Sequence, residues 1–209
     1  MSGEVHTLQV RAAMYALLSR LYDYPLSREK LVPLLDWASE DDHIQAALAQ
    51  LQAMLAGVTD WETFVQELNV EYTRLFEGPG FVPAPPYASF YLNRGLLMGP
   101  ETVAVRRAYL EWNLASVQMG RIPDDHIALE LAFMSHLAAA AHGALAEGNR
   151  TRLEHLQEAL ECFLCEHLLT WLPRFCSAVA SATRHEFFAR LAELTEVLVP
   201  APAEPTGTL

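Results

Sequence analysis

The sequence predicts an all-α fold, a single-domain helical bundle of eight to ten helices with one long Pro/Gly-rich loop. Apolar residues recur at helical spacing through most of the 209 residues, and no segment shows the strict alternation that is typical of a half-buried β-strand. With 52% hydrophobic residues the chain can build one sizeable core. We therefore expect one helical domain over residues 1–199 and a disordered, proline-rich tail over residues 200–209.

Four helices are predicted before the loop, each ended by proline, by glycine or by the loop itself. Thr59 and Glu62 form a capping-box pattern, in which each side chain can bond a free backbone N–H of the other residue. This pattern predicts where the fourth helix begins. The approximate limits of the four helices are residues 10–24, 29–38, 44–55 and 60–76.

The segment from Gly78 to Pro100 is the most unusual stretch of the sequence. Its five prolines and four glycines remove hydrogen-bond donors and interrupt helices. A loop this long in a compact domain usually has a function, and a solvated linker would not need aromatic residues. Four aromatic side chains lie within it: Phe81, Tyr87, Phe90 and Tyr91.

Four more helices are predicted after the loop. Asp124 or Asp125 is the expected N-cap of the second of them, which is apolar nearly all round and should therefore lie at the centre of the bundle. Pro173 should kink or break the chain between the last two. Capping boxes at Thr151 and Thr183 predict where these two begin. The approximate limits are residues 100–118, 126–145, 151–171 and 183–198.

The charge of the chain excludes some classes of partner. Lysine and arginine number 14 and aspartate and glutamate 26, which gives a net charge of −12. Such a surface repels nucleic-acid phosphates and anionic membranes and favours cationic partners or simply solubility. Three cysteines suit a reducing compartment, no apolar run reaches the length of a membrane span, and the N-terminus lacks the features of a secretory signal. We expect a cytoplasmic protein.

Two groups of residues suggest a metal or catalytic site, but each has a simpler interpretation. Two thiols, Cys162 and Cys165, lie near His167, but on a helix the imidazole would point away from both, so small buried side chains are the plainer interpretation. The second group could serve a metal-dependent hydrolase, or it could be an N-cap followed by a His–Glu pair. That group comprises Asp124, Asp125, His126 and Glu130.

Motifs of nucleotide-binding and nucleophilic enzymes are missing from the sequence. We therefore expect no catalytic residue, no metal and no cofactor of its own.

The end of the fourth helix allows two interpretations. By spacing alone Tyr72, Leu75 and Phe76 are core residues. Because they directly precede the Pro/Gly-rich loop, they could instead form the floor of a groove that the loop borders. An apolar groove in an acidic helical protein would suit an apolar peptide that carries arginines.

Three sequence blocks together resemble the TorD/DmsD family of redox-enzyme maturation chaperones, to which the NarJ proteins are related. The blocks are EYTRLFEGP at residues 71–79, PPYASFY at residues 85–91 and PDDH at residues 123–126, the last followed by Glu130. Their order and separation, the chain length and the acidic charge are all similar to that family. The resemblance extends from about residue 10 to residue 199.

This resemblance implies a function and a site. It implies a cytoplasmic, all-α chaperone that binds the twin-arginine signal peptide and the apo form of a molybdenum-cofactor reductase of the dimethyl sulfoxide or trimethylamine N-oxide type. Such a chaperone assists cofactor insertion and prevents premature export, as a monomer or a homodimer. The peptide-binding residues that it implies are Tyr72, Leu75, Phe76, Gly78, Pro79, Pro85, Pro86, Tyr87, Ser89, Tyr91, Asp124, Asp125 and His126.

Overall fold

The computed structural model describes residues 2–115 and 122–199, and the regular elements in these ranges are helices. The prediction of an all-α bundle is confirmed. The α-helices are α1 (Ser2–Leu21), α2 (Arg28–Leu31), α3 (Asp42–Ala56), α4 (Trp61–Tyr72), α5 (Ala88–Leu92), α6 (Pro100–Glu111), α7 (Ile127–Ala146), α8 (Arg150–Phe163), α9 (Leu169–Ala182) and α10 (Glu186–Leu198).

Helix α7 lies at the centre of the bundle, as its apolar composition predicts. It packs along α1 and α8, and Leu131, Met134, Leu137 and Ala138 are completely buried. By length and composition it is the one helix in the described part of the chain that could cross a membrane, with 56% of the relevant window buried. This helix contains Glu130, His136 and His142, so it is not an uninterrupted apolar run, and its high mean hydropathy is that of a helix in the core.

Two stretches of π-helix extend the α-helices near the loop. Residues Thr73–Glu77 continue α4, and residues Leu164–Leu168 join α8 directly to α9. The predicted break at Pro173 is wrong, since this exposed proline lies inside α9. The helix continues because Trp171 and Phe175 on either side of the proline are both buried in the core, and tertiary packing can override the local preference. Single-turn π segments are frequent at functional sites.

Several helices begin near, but not at, the predicted N-cap, because another acceptor is better placed for the free N–H groups. Asp60 Oδ1, for example, accepts the N–H groups of Glu62 and Thr63 in the role predicted for Thr59, and aspartate and asparagine rank above threonine as N-caps. The observed N-caps are Asp60 for Thr59, Asn149 for Thr151, His185 for Thr183, and His126 for Asp124 or Asp125.

Two predicted helices are shorter than expected. The helix predicted over residues 29–38 consists of α2 and one 3₁₀ turn, Val32–Leu34. Helix α6 ends at Glu111 rather than near residue 118, and Asn113 with its positive φ of 55° turns the chain away. Residues 116–121 and the predicted tail, residues 200–209, lie outside the described residues.

Candidate functional site

The three blocks that carry the family resemblance meet in space. The Ala84 N–H donates to the Leu75 carbonyl at 3.0 Å, which joins the loop to the end of α4. The Ile127 N–H donates to the Pro86 carbonyl at 2.9 Å, and the Ala88 N–H donates to the Asp125 carbonyl at 3.0 Å. The Pro-rich loop is thus fixed by backbone hydrogen bonds between the end of α4 and the start of α7. We refer to this arrangement as the three-segment junction.

The aromatic end of α4 forms the floor of this junction, but it is closed to solvent. Tyr72, Leu75 and Phe76 are at most 2% exposed, and the Phe76 ring packs against Phe175 and Phe188 at centroid distances of 5.9 and 5.7 Å. Burial, reinforced by nearby acidic groups, raises the pKa of Tyr72. These three residues are therefore core residues, as their spacing alone indicates, and the loop packs over them.

The buried carboxylate of Asp125 accepts hydrogen bonds from the loop and from α6. It is completely buried, and it accepts the Ser89 N–H at 2.7 Å and the Thr102 hydroxyl at 2.8 Å. The Asp124 carboxylate, also buried, accepts Arg106 Nε at 2.6 Å. Both carboxylates are therefore occupied by donors of this chain, and their position suits the fixing of the loop and α6 against α7.

The imidazole of His126 is the N-cap of α7. Its Nδ1 accepts the Ala128 N–H at 3.1 Å, and its ring packs against Tyr87 at 5.1 Å. Burial lowers the pKa of His126 to about 4, although Asp23 and Asp125 act in the opposite direction. The ring is therefore neutral near pH 7, which an acceptor at a helix N-terminus requires.

These contacts do not favour the hydrolase interpretation. Asp124, Asp125 and His126 each have a structural partner, and Glu130 accepts Trp171 Nε1 at 3.3 Å. Within residues 2–115 and 122–199 no group of three or more His, Cys, Asp or Glu side chains is arranged to hold a metal ion. Cys162 is exposed rather than buried as the sequence suggested.

The Pro/Gly-rich loop combines buried and accessible residues. Ser89 is buried, as are Pro85 and Pro86, whereas Pro79 is exposed and Gly78 partly so. Tyr87 is partly exposed, and its burial, with nearby Glu77 and Asp125, raises its pKa to about 12.

Tyr91, on the short helix α5 within this segment, is also partly exposed. Its ring stacks on Trp171 at 5.7 Å. Its hydroxyl is buried without a hydrogen-bond partner in the described part of the chain.

A buried ion pair beside the junction was not predicted from the sequence. Glu71 is only 7% exposed and binds Arg74 through two hydrogen bonds of 2.7 Å. It also accepts the Arg184 N–H at 2.6 Å and so ties the end of α4 to the start of α10. Burial alone would raise the pKa of Glu71, but the hydrogen bonds from Arg74 and Arg184 outweigh it and lower the pKa. The spacing of Glu71 and Arg74, three residues apart on a helix, was the available signal.

The structure contains an acidic cavity that was not predicted from the sequence. It has a volume of about 250 Å³ and lies between α5, α6, α7 and the second π segment. The acidic residues that line it are Glu101, Glu130 and Glu166, with His167 beside them. From the sequence, Glu130 was expected either in the hydrolase group with Asp124, Asp125 and His126 or as the partner of His126 in a His–Glu pair. The sequence carries no local signal for the cavity, because its carboxylates come from three separate helical segments.

The fold and the junction define a helical binding protein. A family model described as "Nitrate reductase delta subunit" matches residues 38–177. The chain is 28% identical over 193 residues to the chaperone protein TorD of Vibrio cholerae serotype O1, covering 87% of this chain and 86% of that protein. It is 25% identical over 205 residues to the Tat proofreading chaperone DmsD of Salmonella typhi, covering 90% and 91%.

A solved structure shows the same fold. A protein of Archaeoglobus fulgidus that is assigned as a redox enzyme maturation protein superposes with a TM-score of 0.58 at 22% identity, covering 90% of this chain and 93% of that one. The chain belongs to the TorD/DmsD family of redox-enzyme maturation chaperones. It is a chaperone and not an enzyme.

Proposed function

We propose that this chaperone binds the twin-arginine signal peptide and the apo form of a molybdenum-cofactor reductase of the dimethyl sulfoxide or trimethylamine N-oxide type. In this role it assists cofactor insertion and prevents premature export, and it acts in the cytoplasm. The relatives named Tat proofreading chaperones support the export-related part of this proposal. The net charge of −12 supports a partner that carries arginines.

The observation that carries the proposal is the three-segment junction. Three blocks far apart in the sequence are hydrogen-bonded to one another, and the loop takes part through the backbone of Ala84, Pro86, Ala88 and Ser89. A preorganised surface binds a flexible peptide with less loss of conformational entropy. We propose that Tyr72, Leu75, Phe76, Asp124 and Asp125 fix this surface, since all are buried, and that accessible residues of the loop contact the peptide.

The energetics suit a chaperone that must also release its client. Burying about 300 Å² of apolar peptide surface contributes about 7 kcal/mol at about 25 cal/mol per Å². Ordering the peptide and losing its free motion oppose much of this gain. The net affinity should then be moderate, and the arginines should contribute specificity and association rate as much as affinity.

A peptide titration tests the proposal. A synthetic signal peptide with its Arg-Arg pair, and a matched peptide with Gln-Gln, are labelled and titrated with the chaperone by fluorescence anisotropy. We expect the Arg-Arg peptide to bind at least about tenfold more tightly at low salt, and the difference to shrink as salt is added. Equal binding of the two peptides, or no binding of either, would contradict the proposal.

The proposed role in cofactor insertion needs a separate experiment. A reductase of the named type is produced without molybdenum cofactor, and cofactor is then added with and without the chaperone. We expect the chaperone to increase the fraction of active reductase, and a reductase that lacks its signal peptide to benefit less. Identical activation with and without chaperone would remove this part of the proposal while leaving peptide binding intact.

A further inference from the structure

Two of the three carboxyl groups that line the acidic cavity are withdrawn from solvent, which distinguishes it from an ordinary solvated group of glutamates. Glu130 is buried and Glu101 is partly buried, whereas Glu166 is exposed. Glu130, at its base, is completely inaccessible to solvent. Glu101 and Glu166 also line the cavity, and none of the described lining residues is lysine or arginine. Leu92 and Val105 provide apolar wall.

In each of two of these carboxyl groups, one oxygen lacks a hydrogen-bond donor in the described part of the chain. Glu130 Oε2 accepts Trp171 Nε1, but Glu130 Oε1 is buried without a partner in the described part of the chain, and so is Glu101 Oε2. A buried acceptor without a donor costs about 1–3 kcal/mol, and more if it is charged. Burial accordingly raises the pKa of Glu130 well above its usual value, although the Trp171 hydrogen bond acts in the opposite direction.

Two of the unpartnered oxygens belong to residues that line the cavity. Besides Glu130 Oε1 and Glu101 Oε2, the buried polar side-chain atoms without a partner in residues 2–115 and 122–199 are Ser89 Oγ and Tyr91 Oη. Both belong to α5, whose Ala88 and Leu92 line the cavity. Ser89 and Tyr91 themselves are not among the residues that line the cavity, so the two glutamate oxygens are the unpartnered atoms that concern it. A buried polar group without a partner requires an explanation, and a ligand that is absent from the free protein is one such explanation.

The acidic lining of the cavity favours a cationic ligand, and the arrangement of its carboxyl groups favours a guanidinium over a metal ion or an ammonium group. A metal ion needs several ligand atoms around one point, and no such group of three exists in the described ranges. A guanidinium spreads five N–H donors over a planar group and can reach carboxylates that do not share a point. Its aliphatic stem can pack against apolar wall, here Leu92 and Val105. The compact ammonium of lysine offers fewer donors in a smaller space.

An exposed apolar strip adjoins the cavity. Leu92 and Pro100 line the cavity, and between them the chain exposes Leu96 by 64%, Leu97 by 49% and Met98 by 71%. Consecutive exposed apolar side chains of this size indicate an interaction surface. An acidic cavity beside an apolar strip matches a peptide in which an arginine adjoins an apolar segment.

We propose that this cavity takes an arginine side chain of the client's signal peptide, and that the strip Leu96–Met98 receives the apolar segment that follows it. This inference rests on the proposed function and adds to it a subsite outside the residues that the family resemblance implies. In the bound state Glu130 and Glu101 accept guanidinium N–H groups, which removes the cost of their unpaired oxygens.

A cycle of variants and peptides tests this subsite. Glu101→Gln and Glu130→Gln, alone and combined, are compared with Glu154→Gln, a matched change at an exposed position of α8. Each protein is titrated with signal peptides that carry Arg-Arg, Lys-Lys or Gln-Gln. We expect the combined variant to bind the Arg-Arg peptide at least about tenfold more weakly than the parent does, and to bind the Gln-Gln peptide as the parent does. Glu154→Gln should bind all three peptides as the parent does.

The possible outcomes separate the two proposals. If the parent does not prefer Arg-Arg over Gln-Gln, the proposed function itself fails. If the parent prefers Arg-Arg and the combined variant keeps the full preference, only the subsite is overturned. Circular dichroism shows whether Glu130→Gln folds. If it does not, the double variant Glu101→Gln with Glu166→Gln, which changes the more exposed side of the cavity, is titrated instead, and the same loss of Arg-Arg preference is expected. A Lys-Lys peptide that binds as tightly as Arg-Arg would overturn the choice of a guanidinium.

Discussion

Replacing Asp125 tests the claim that this buried carboxylate fixes the Pro/Gly-rich loop. In Asp125→Ala two charge-assisted hydrogen bonds disappear, those from the Ser89 N–H at 2.7 Å and the Thr102 hydroxyl at 2.8 Å. Hydrogen bonds to charged groups contribute about 1.5–3 kcal/mol each, and the buried Ser89 N–H loses its acceptor. We therefore expect Asp125→Ala to lower the free energy of unfolding by about 4 kcal/mol.

Two conservative variants calibrate this value. Asp125→Asn keeps an acceptor for the Ser89 N–H and offers an N–H to the Thr102 oxygen, so it should cost about 1–2 kcal/mol. Thr102→Val removes only the second bond and should cost a similar amount. The pair Asp125→Ala and Thr102→Val should cost less together than the sum of the single changes, because the two residues share one interaction.

Urea unfolding followed by tryptophan fluorescence measures all four proteins. If Asp125→Ala unfolds within about 1 kcal/mol of the parent, the carboxylate does not hold the loop and the reasoning is refuted. Hydrogen exchange at the Ser89 amide gives a second measurement, since loss of its acceptor should raise the exchange rate of this amide.

Three further predictions concern buried titratable groups, and urea unfolding at several pH values measures each of them. Glu71→Gln should destabilise the protein by about 2 kcal/mol near neutral pH; the hydrogen bonds from Arg74 and Arg184 lower the folded-state pKa of Glu71 below 4.5, so the loss should vanish as the pH falls through that pKa. Burial lowers the pKa of His126 from 6.5 to about 4, so the parent's free energy of unfolding should fall by about 3 kcal/mol as the pH falls over this range. His126→Asn, which keeps an N-cap acceptor, should show a smaller fall in the free energy of unfolding. Glu130→Gln should be more stable than the parent at alkaline pH and equal to it near pH 4, since burial raises the folded-state pKa of Glu130 and its stabilisation falls as the pH rises above 4.5. An unchanged pH profile in any of these variants would contradict the corresponding assignment.

The helical fold was predictable because its signals are local. Apolar spacing identifies the helices, and the nearly uniform apolar character of α7 indicates its central place, where Leu131 and Met134 are completely buried. The junction could also be anticipated, but only through the resemblance to a family. Spacing alone makes Tyr72, Leu75 and Phe76 core residues, and the structure buries them.

Features that depend on tertiary contacts were not predictable. Thr59 was expected as an N-cap because of its capping-box spacing to Glu62, yet neighbouring Asp60 makes the capping bonds. Aspartate is the better N-cap of the two, but only the backbone geometry shows which residue takes that position. The continuation of α9 through Pro173 depends on the core contacts of the residues around it. Glu130 accepts a hydrogen bond from Trp171 of α9 rather than pairing with His126, a tertiary contact that the spacing of residues within α7 cannot show.

Site-specific crosslinking is the most direct test of where a signal peptide binds. A twin-arginine peptide with a benzophenone group beside the arginines is irradiated with the chaperone, and mass spectrometry locates the crosslinks. The account predicts crosslinks within residues 88–105 and 163–170, which surround the acidic cavity. A second groove of about 470 Å³, lined by Tyr24, Val70 and Thr73, lacks charged residues in its described lining. Crosslinks confined to that neutral groove would contradict the account.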